Sequence, residues 1–258
     1  MPIRLPHVLP AGLARALARL LPSSCALCGA GCDAAVCAPC REQYAAPRAG
    51  RCACCANPLP ALDAAAMQAC AASPAHAPLC GACLSNPPAF DATIAAVDYA
   101  APLDQLVLQL KFGARLALAP WFARLLRDAV SARPDAGLPD LLCPVPLGPR
   151  RLVERGFNQA LEIARPLGAS LGVPVHARLA ERLLDTAAQS GVTPAERARN
   201  VRGAFAIADP DAIVGRHVGL VDDVMTSGHT LGELAATCKR FGAARVTNLV
   251  VARTPPHP

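Results

Sequence analysis

The sequence predicts an α/β protein in which a parallel sheet flanked by helices follows a small cysteine-rich module. Eleven of the thirteen cysteines lie before residue 84 of the 258-residue chain. Beyond residue 90, apolar runs of strand length alternate with amphipathic helical patterns, which is typical of βαβ units. One strand–helix junction, residues 218–230, combines adjacent acids with hydroxyl residues and a glycine. A chain of this length has room for one sizeable core and a small module.

Residues 1–22 form the first predicted segment. A short amphipathic helix is expected over residues 11–21, where Arg15 and Arg19 interrupt the apolar residues. The same arginines leave no apolar region of a secretory signal, and no apolar run reaches the ~20 residues of a membrane span. We therefore expect no membrane insertion and a cytoplasmic location.

Residues 23–88 form the second predicted segment, a double zinc ribbon. Its four C-x2-C pairs are Cys25/Cys28, Cys37/Cys40, Cys52/Cys55 and Cys80/Cys83. Two thiolates three residues apart can bind one tetrahedral Zn²⁺, and a closed structural site takes four ligands, so the pairs predict about two zinc ions. Sequential grouping of the pairs is the simplest arrangement, and an interleaved grouping is also compatible with the spacing.

Other interpretations of the cysteines are less favoured. A disulfide framework is typical of secreted proteins, and the sequence carries no export signal. A catalytic thiol pair is expected within a βαβ pattern, which surrounds none of the pairs. Cys32, Cys54 and Cys70 are left over and could compete locally for metal. Because the segment has few large apolar residues, metal binding is expected to drive its folding.

Residues 89–258 form the third predicted segment, the α/β domain, after a proline-marked boundary at residues 84–90. Its predicted strands are residues 91–100, 141–145, 204–208, 218–221 and 245–252. Its predicted helices are residues 102–113, 120–130, 158–171 with Pro166 inside, and 231–241. Open α/β sheets bind ligands beyond the carboxyl ends of their strands, so the functional site is expected there.

The most informative stretch is residues 218–230, VGLVDDVMTSGHT. Its apolar start predicts a buried strand that ends at Asp222 and Asp223. A polar turn follows, formed by Thr226, Ser227, Gly228, His229 and Thr230. Hydroxyls and backbone N–H groups at a helix N-terminus can wrap a phosphate, and glycine permits close approach of the backbone.

The two acids limit what this stretch could bind. Carboxylates would repel a phosphate, so Asp222 and Asp223 are expected to accept hydrogen bonds from ribose hydroxyls or to help hold Mg²⁺. The pattern therefore favours a sugar phosphate. The alternative interpretation is an ordinary strand–turn–helix with a Thr/Ser cap, which is common in α/β proteins.

Two further stretches are polar enough to contribute to a site. In residues 144–160 a strand end is predicted to lead into a loop with Arg150, Arg151 and Arg155. Arginines at this place suit phosphate oxygens, and simple solvation of the basic loop is an equal alternative. Residues 182–200 are predicted to be either a flap over a site or an exposed loop with a short helix. The polar residues of that segment are Thr186, Gln189, Arg197 and Asn200.

The order of these motifs resembles the ComF/GntX family from about Cys25 to Arg253. The shared stretches are the cysteine pairs, NPPAFD, YAAPLDQLVLQLKF, CPVPLGPRRLVERGFNQA, a T-x2-Q…R-x2-N segment and VDDVMTSGHT. The last is similar to the phosphoribosyl-pyrophosphate (PRPP) motif of type I phosphoribosyltransferases. The resemblance implies a type I phosphoribosyltransferase-like domain preceded by the double zinc ribbon.

The resemblance also implies roles for individual residues. The acidic pair would bind the ribose hydroxyls of PRPP, the turn of residues 226–230 would hold the 5′-phosphate, and Mg²⁺ would accompany the ligand. Arg150 and Arg155 would face the pyrophosphate, with Asn158 beside them and Lys111 as a further basic candidate. Thr226 stands where 6-oxopurine enzymes of the superfamily place an acid, so it cannot serve as their general base.

Two functional hypotheses follow from the resemblance. The first is PRPP binding with possible phosphoribosyl transfer, whose acceptor the sequence does not identify. The second is a module of the DNA uptake machinery of natural competence, with single-stranded DNA and a competence helicase as partners. A net charge of +6 suits a phosphate-rich partner. However, Phe, Tyr and Trp together number nine, so stacking platforms for bases are scarce.

Overall fold

The computed structural model describes residues 23–46, 50–59, 78–183 and 203–255. The helix predicted over residues 11–21 lies outside these ranges, and so does Cys70. The segment predicted as a flap or exposed loop lies largely outside them, including Thr186, Gln189, Arg197 and Asn200. Within the described ranges no helix is both long enough and apolar enough to cross a membrane.

The cysteine module contains very little regular structure. Strands β1, Ser23–Ser24, and β2, Gly31–Cys32, pair antiparallel, and helix α1 spans Ala38–Tyr44. A second part consists of residues 50–59 and helix α2, Gly81–Ser85. The residues that cap the starts of α1 and α2 are Cys37 and Cys80, so each helix begins at the first cysteine of a C-x2-C pair.

The larger part of the chain forms a parallel four-stranded sheet. Its strands are β3, Ala92–Asp98; β4, Leu141–Pro144; β7, His217–Met225; and β8, Arg245–Arg253, in the spatial order β3-β8-β7-β4. Two short strands, β5, Ala180–Arg182, and β6, Phe205–Ile207, pair antiparallel in a separate sheet. The predicted strand at residues 204–208 corresponds to β6, whereas β5 was not predicted because two of its three residues, Glu181 and Arg182, are charged.

Helices cover both faces of the parallel sheet, which confirms the predicted fold class. They are α3, Leu103–Phe112; α4, Ala119–Ser131; α5, Pro149–Arg155; α6, Gln159–Leu171; and α7, His229–Arg240. Neighbouring residues of β8 show the two faces, because Leu249 packs in the same cluster as α4 and α6 and Val250 packs in the cluster of α7. Burial on both faces explains why the central strands read as continuous apolar runs.

Two predicted boundaries were wrong at the edge of the site. The strand predicted to end at the two acids continues as β7 to Met225, because Asp222 still pairs with Val250 and Val224 with Ala252. The predicted basic loop at residues 150–155 is instead helix α5. Pro149 occupies its first turn, and Gly156 ends it in a left-handed conformation with φ of 79°.

The two halves of the cysteine module pack on opposite faces of the sheet around its outer strand β3. Cys25 and Cys40 belong to the apolar cluster of α4, whereas Cys52 and Cys83 belong to the cluster of α7. At the strand itself, the backbone N–H of Thr93 donates to the carbonyl of Ala53 at 3.3 Å. The guanidinium of Arg51 binds Asp98 at 2.7 Å at the other end of the strand. The module is therefore in contact with the sheet.

Candidate functional site

The structure brings the eight paired cysteines into two quartets in the sequential grouping. Within each quartet the Sγ atoms lie within 4.8 Å of one another. The first quartet is Cys25, Cys28, Cys37 and Cys40, and the second is Cys52, Cys55, Cys80 and Cys83. The Sγ–Sγ distance is 3.7 Å between Cys28 and Cys37 and 3.6 Å between Cys55 and Cys80. A tetrahedral ion with sulfur ligands at about 2.3 Å requires a sulfur–sulfur distance of about 3.8 Å, so the quartets fit one.

Backbone donors and crowding shape the ionisation of these thiols. Burial raises the pKa of Cys25, but hydrogen bonds from backbone N–H groups outweigh it and lower the pKa to about 6. In contrast, burial and the neighbouring thiols raise the pKa of Cys40 to about 12. Four thiolates at these distances repel one another, so complete ionisation of a quartet requires a cation. Four sulfur donors in a tetrahedron fit zinc or a similarly soft metal ion.

In the second quartet, too, the pKa of one thiol is lowered and the pKa of another is raised. A hydrogen bond with Cys55 lowers the pKa of Cys52 to about 4, against the effect of burial. The backbone N–H of Cys80 adds a hydrogen bond to the Cys52 sulfur at 3.3 Å. The same contact raises the pKa of Cys55, with burial as the second cause. Of the unpaired cysteines, Cys54 donates instead to the carbonyl of Phe90 at 3.8 Å.

The acidic pair lies near the carboxyl end of β7, as a sheet-end site requires. Asp223 is only 2% exposed, and Lys111 of α3 places its Nζ atom 3.1 Å from the Asp223 Oδ2 atom. The other oxygen of Asp223 accepts the backbone N–H of Val224 at 2.8 Å. Burial and the nearby charge of Asp223 raise the pKa of Asp222 well above its usual range, while Lys111 opposes that shift.

A basic cavity of about 450 Å³ opens beside Lys111. Its lining residues are Lys111, Phe112, Ala114, Arg151, Glu154, Arg155 and Phe157. The Arg155 guanidinium lies 5.3 Å from the centre of the Phe112 ring and also donates to Gln159. Burial lowers the pKa of Arg155, whereas the charges of Asp223 and Asp222 raise it. Two of the predicted basic residues, Lys111 and Arg155, therefore lie together with the acidic pair.

The third predicted basic residue is placed differently. The side chain of Arg150 is 80% exposed and pairs with Glu154 at 2.8 Å. Its neighbour Arg151 lines the basic cavity. The sequence analysis predicted a loop in place of α5, and a loop does not determine which of the two arginines faces the site.

The turn at residues 226–230 joins β7 to the first turn of α7. Gly228 caps the helix with φ of +82°, and a Cβ atom there would lie 2.6 Å from the Met225 methyl carbon. The Ser227 hydroxyl lies 3.1 Å from Nδ1 of His229. The N-terminus of a twelve-residue helix presents backbone N–H donors and a partial positive charge at this turn. The structure thus places Thr226, Ser227, His229 and Thr230 at or directly before the N-terminus of α7.

A second cavity, of about 700 Å³, separates this turn from the second quartet. Its walls come from the quartet, the boundary segment and the turn, and include Cys55, Asn57, Asn86, Phe90, Ser227, His229 and Arg253. The turn is therefore flanked on one side by the cysteine module.

Arg253, at the last position of β8, connects the second quartet to the turn. It is 5% exposed, and its Nε atom donates to the Cys55 carbonyl at 2.9 Å. Its Nη1 atom donates to the carbonyls of Met225, at 3.0 Å, and of Thr226 and Thr254. The sequence prediction ended this strand at residue 252 and missed Arg253. The signal that could have found it is a single charged residue directly after seven mostly apolar strand positions.

Comparisons with solved structures give weak similarity. No model of a known protein family matches the chain. A purine phosphoribosyltransferase from Pyrococcus horikoshii is 21% identical over 54% of this chain and 78% of that chain, with a TM-score of 0.32. The Thermus thermophilus protein TT1426 is 18% identical over 54% of this chain and 85% of that chain, with a TM-score of 0.33. Likenesses at this level carry no argument about function.

Comparisons with curated relatives are much stronger. The DNA utilization protein YhgH of Salmonella typhimurium is 37% identical over 223 residues, covering 85% of this chain and 97% of the relative. The Escherichia coli K12 protein of the same name is 39% identical, covering 71% and 81%. Competence protein F of Haemophilus influenzae is 32% identical, covering 66% and 76%. With its parallel sheet, two cysteine quartets and this similarity over most of its length, the chain belongs to the ComF/GntX family.

Proposed function

We propose that the chain binds PRPP together with Mg²⁺ at the carboxyl end of β7, and that this binding serves the handling of DNA taken up into the cytoplasm. One observation carries the proposal. An acidic pair, Asp222 and Asp223, lies between a basic cavity and a helix N-terminal turn at one end of the sheet. PRPP carries the matching groups in the same order, with pyrophosphate, ribose hydroxyls and a 5′-phosphate.

The turn suits the 5′-phosphate. The hydroxyl groups of Thr226 and Ser227 belong to exposed residues, and the backbone N–H groups of the first turn of α7 have no intrahelical acceptor. Gly228 supplies the left-handed conformation that closes the turn. A dianion here is also stabilised by the helix dipole, typically by about 0.3–1 kcal/mol.

The acidic pair suits the ribose. Carboxylate oxygens accept hydrogen bonds from the 2′ and 3′ hydroxyls, and each such charged bond contributes roughly 1.5–3 kcal/mol. Asp223 is held in place by its bond from the Val224 amide, so its orientation is fixed before the ligand arrives. The ion contact between Lys111 and Asp223 lacks hydrogen-bond geometry, which leaves Lys111 free to turn toward a more negative partner.

The basic cavity suits the pyrophosphate. Lys111, Arg151 and Arg155 present positive charge on its walls, and arginine can bind phosphate oxygens through two parallel hydrogen bonds. The oxygen donors of Asp222 and Asp223 fit Mg²⁺, which prefers a few carboxylates together with phosphate oxygens and water. When bound, Mg²⁺ neutralises pyrophosphate charge and makes pyrophosphate a better leaving group.

Phosphoribosyl transfer is the reaction that this arrangement can support. A nucleophile forms a bond to C1′ of the ribose, and the bond from C1′ to the pyrophosphate oxygen breaks with its electron pair remaining on pyrophosphate. The residues of this chain position the ribose and stabilise the departing charge. Thr226 has no carboxylate with which to accept a proton, so this position does not supply a general base.

The two quartets are proposed to hold structural zinc, one ion each. All four ligand positions are filled by protein thiols in both, and this closed arrangement is typical of structural rather than catalytic zinc. Zinc would fix residues 25–40 on one face of the sheet at β3, and residues 52–59 and 78–83 on the other.

The link to DNA handling rests on the relatives, which are named DNA utilization protein and competence protein F. A second candidate function, contact with single-stranded DNA or with a competence helicase, is favoured by one observation. Phe112 is 75% exposed beside Arg155 at the rim of the basic cavity. An exposed aromatic ring next to an arginine can stack on a base while the guanidinium binds phosphate.

Titration calorimetry with PRPP, with and without Mg²⁺, tests the proposal. We expect Mg²⁺-dependent binding to the wild type and its loss in a variant that carries both Asp222→Ala and Asp223→Ala. Equal binding by the two proteins would contradict the assigned site. Pyrophosphate release with candidate acceptors then distinguishes transfer from binding alone. Binding to single-stranded DNA that weakens steeply with salt would support the second candidate.

A further inference from the structure

Arg253 makes an unusual set of contacts for a residue at the end of a central strand. Its guanidinium is buried between the second quartet and the turn, and its described hydrogen bonds all go to main-chain carbonyls. One of these carbonyls belongs to Cys55, a member of the quartet, and two belong to Met225 and Thr226 at the start of the turn. One side chain therefore contacts both elements directly.

The contacts to the turn determine where its amide groups point. A trans peptide unit is planar, and its C=O and the following N–H point in opposite directions. Arg253 binds the carbonyls of Met225 and Thr226, so the N–H groups of Thr226 and Ser227 are directed away from the guanidinium. Those N–H groups are among the donors that a phosphate at the turn would use.

The contact to Cys55 explains how a positive charge is accommodated in this position. The guanidinium is 5% exposed and donates to the Cys55 carbonyl at 2.9 Å, so its charge lies beside the quartet. A divalent ion with four thiolates carries a net charge of −2. A metal-loaded quartet therefore stabilises the buried guanidinium and fixes the position of the Cys55 carbonyl that it binds.

No described hydrogen bond links the first quartet to the turn. Its backbone hydrogen bonds, such as Cys25 to Ala30 and Ala26 to Ala35, lie within the module. Cys25 and Cys40 pack in the cluster of α4, on the sheet face opposite α7. Metal at the first quartet should therefore have little influence on the turn.

We infer that Arg253 is a positioning residue that orients the amide groups of the turn for phosphate binding, and that it does so only while the second quartet holds its metal. The inference rests on the proposed function for the identity of the ligand. The orientation of the turn can be measured without any ligand, so the two can be tested separately.

The experiment uses the full-length, metal-loaded protein and four variants. Arg253→Met removes the donors at similar volume, and Arg253→Lys restores one charged donor group. Cys80→Ser disrupts the second quartet, and Cys28→Ser is the matched change in the first. For each protein, metal content, the affinity for Mg²⁺-PRPP and the hydrogen exchange of a peptide covering residues 225–230 are measured. Exchange in the peptide of β8 serves as the control for folding.

We expect Arg253→Met and Cys80→Ser to weaken Mg²⁺-PRPP binding by about tenfold to a hundredfold, comparable to the loss of a charged hydrogen bond. The same two variants should exchange faster at residues 225–230 while the peptide of β8 stays protected. Arg253→Lys should recover part of both properties. Cys28→Ser should lose about one metal ion per chain and leave turn exchange unchanged.

Wild-type affinity and wild-type turn exchange in Arg253→Met would overturn the inference. Equal effects of Cys28→Ser and Cys80→Ser on the turn would overturn the role of the second quartet. If Arg253→Met does not fold, the same measurements are made on Arg253→Lys. Wild-type affinity and wild-type turn exchange in Arg253→Lys would show that the planar guanidinium is not needed. If the wild type does not bind PRPP, the proposed function fails, and the exchange data still decide the role of Arg253.

Discussion

The cysteine module and the carboxyl end of the sheet differ in the interactions that can stabilise them. The module has two-residue strands and short helices, and it brings together two groups of four thiols. The sheet end is held by strands that are buried on both faces, so it can keep Asp223 and Arg253 in low-exposure positions. We therefore expect metal to control the folding of the cysteine module. At the carboxyl end of the sheet, we expect pre-formed packing to control ligand affinity.

Metal removal should give the largest effect and should act on the module. We expect about two zinc ions per chain, and chelation should unfold the described parts of the module, residues 25–46, 50–59 and 78–85, while the parallel sheet remains folded. Metal binding contributes about 10–16 kcal/mol to folding in zinc-finger peptides, more than a module with so little core could otherwise supply. Elemental analysis and hydrogen exchange before and after chelation measure both quantities. Zinc-free protein with mapped disulfides would contradict this prediction.

Loss of the acidic pair should give the next largest effect, on affinity rather than on folding. In the variant with both Asp222→Ala and Asp223→Ala, each lost charged hydrogen bond should cost roughly 1.5–3 kcal/mol, or about tenfold to a hundredfold in affinity. Calorimetry with Mg²⁺-PRPP measures the loss, and metal content should stay at the wild-type value.

The matched control for the acidic pair is Asp128→Ala, which removes an exposed carboxylate of α4 that pairs with Arg127. Its affinity should equal that of the wild type. A fall in metal content in the double variant would show that the module and the sheet end are not separable in this way.

Gly228→Val should weaken ligand binding by about tenfold or more, equivalent to roughly one charged hydrogen bond. A β-branched residue is strained at φ of +82°, and its Cβ atom would collide with the Met225 methyl group at 2.6 Å. The turn must then shift away from the phosphate. Gly172→Val is the control, because Gly172 also has a positive φ but ends α6 with open space around it. That control should lose stability without a specific loss of affinity.

The affinity for Mg²⁺-PRPP should fall on acidification at a pH well above the ordinary range of a carboxyl group. Burial and the charge of Asp223 raise the pKa of Asp222, so Asp222 takes up a proton while other carboxylates are still ionised. Protonation removes acceptor capacity for a ribose hydroxyl. The same raised pKa means that the free energy of unfolding falls as the pH rises from the ordinary range of a carboxyl group to the raised pKa of Asp222, and that it stays at the lower value above that pKa.

The test is calorimetry over a pH series with wild type and Asp222→Asn. The variant should bind more weakly and should lack the step that belongs to Asp222, while the titration of the phosphates of PRPP remains in both. An unchanged pH profile in Asp222→Asn would show that another group produces the dependence.

The smallest effect separates two adjacent arginines. Arg151→Ala should weaken Mg²⁺-PRPP binding by about fivefold to tenfold, because Arg151 lines the basic cavity. Arg150→Ala should change it by less than about twofold, since exposed pairs such as Arg150 with Glu154 contribute little. Calorimetry on the two variants measures both affinities. A larger loss in Arg150→Ala would place the pyrophosphate on the other side of α5.

The sequence predicted the fold class, the cysteine quartets and the strand–turn–helix that follows the acidic pair, because each depends on local spacing or periodicity. It failed where tertiary contacts override the local pattern. The acids lie inside β7 because β8 continues to pair beyond Val221. The arginines 150 and 151 could not be ranked because their orientation depends on the helical conformation of α5. Arg253 joins residues 28 and 198 positions away in the chain, which no local pattern encodes.

The hydrogen bond from Thr93 to Ala53 bears on how the protein behaves when its metal is removed. β3 is an outer strand of the sheet, and the loop of the second quartet covers part of its free edge. An uncovered strand edge offers unpaired N–H and C=O groups to any other chain with the same feature. We therefore expect demetallated protein to self-associate through β3, which light scattering at increasing concentration would detect. In a cell short of zinc, the demetallated protein would then aggregate.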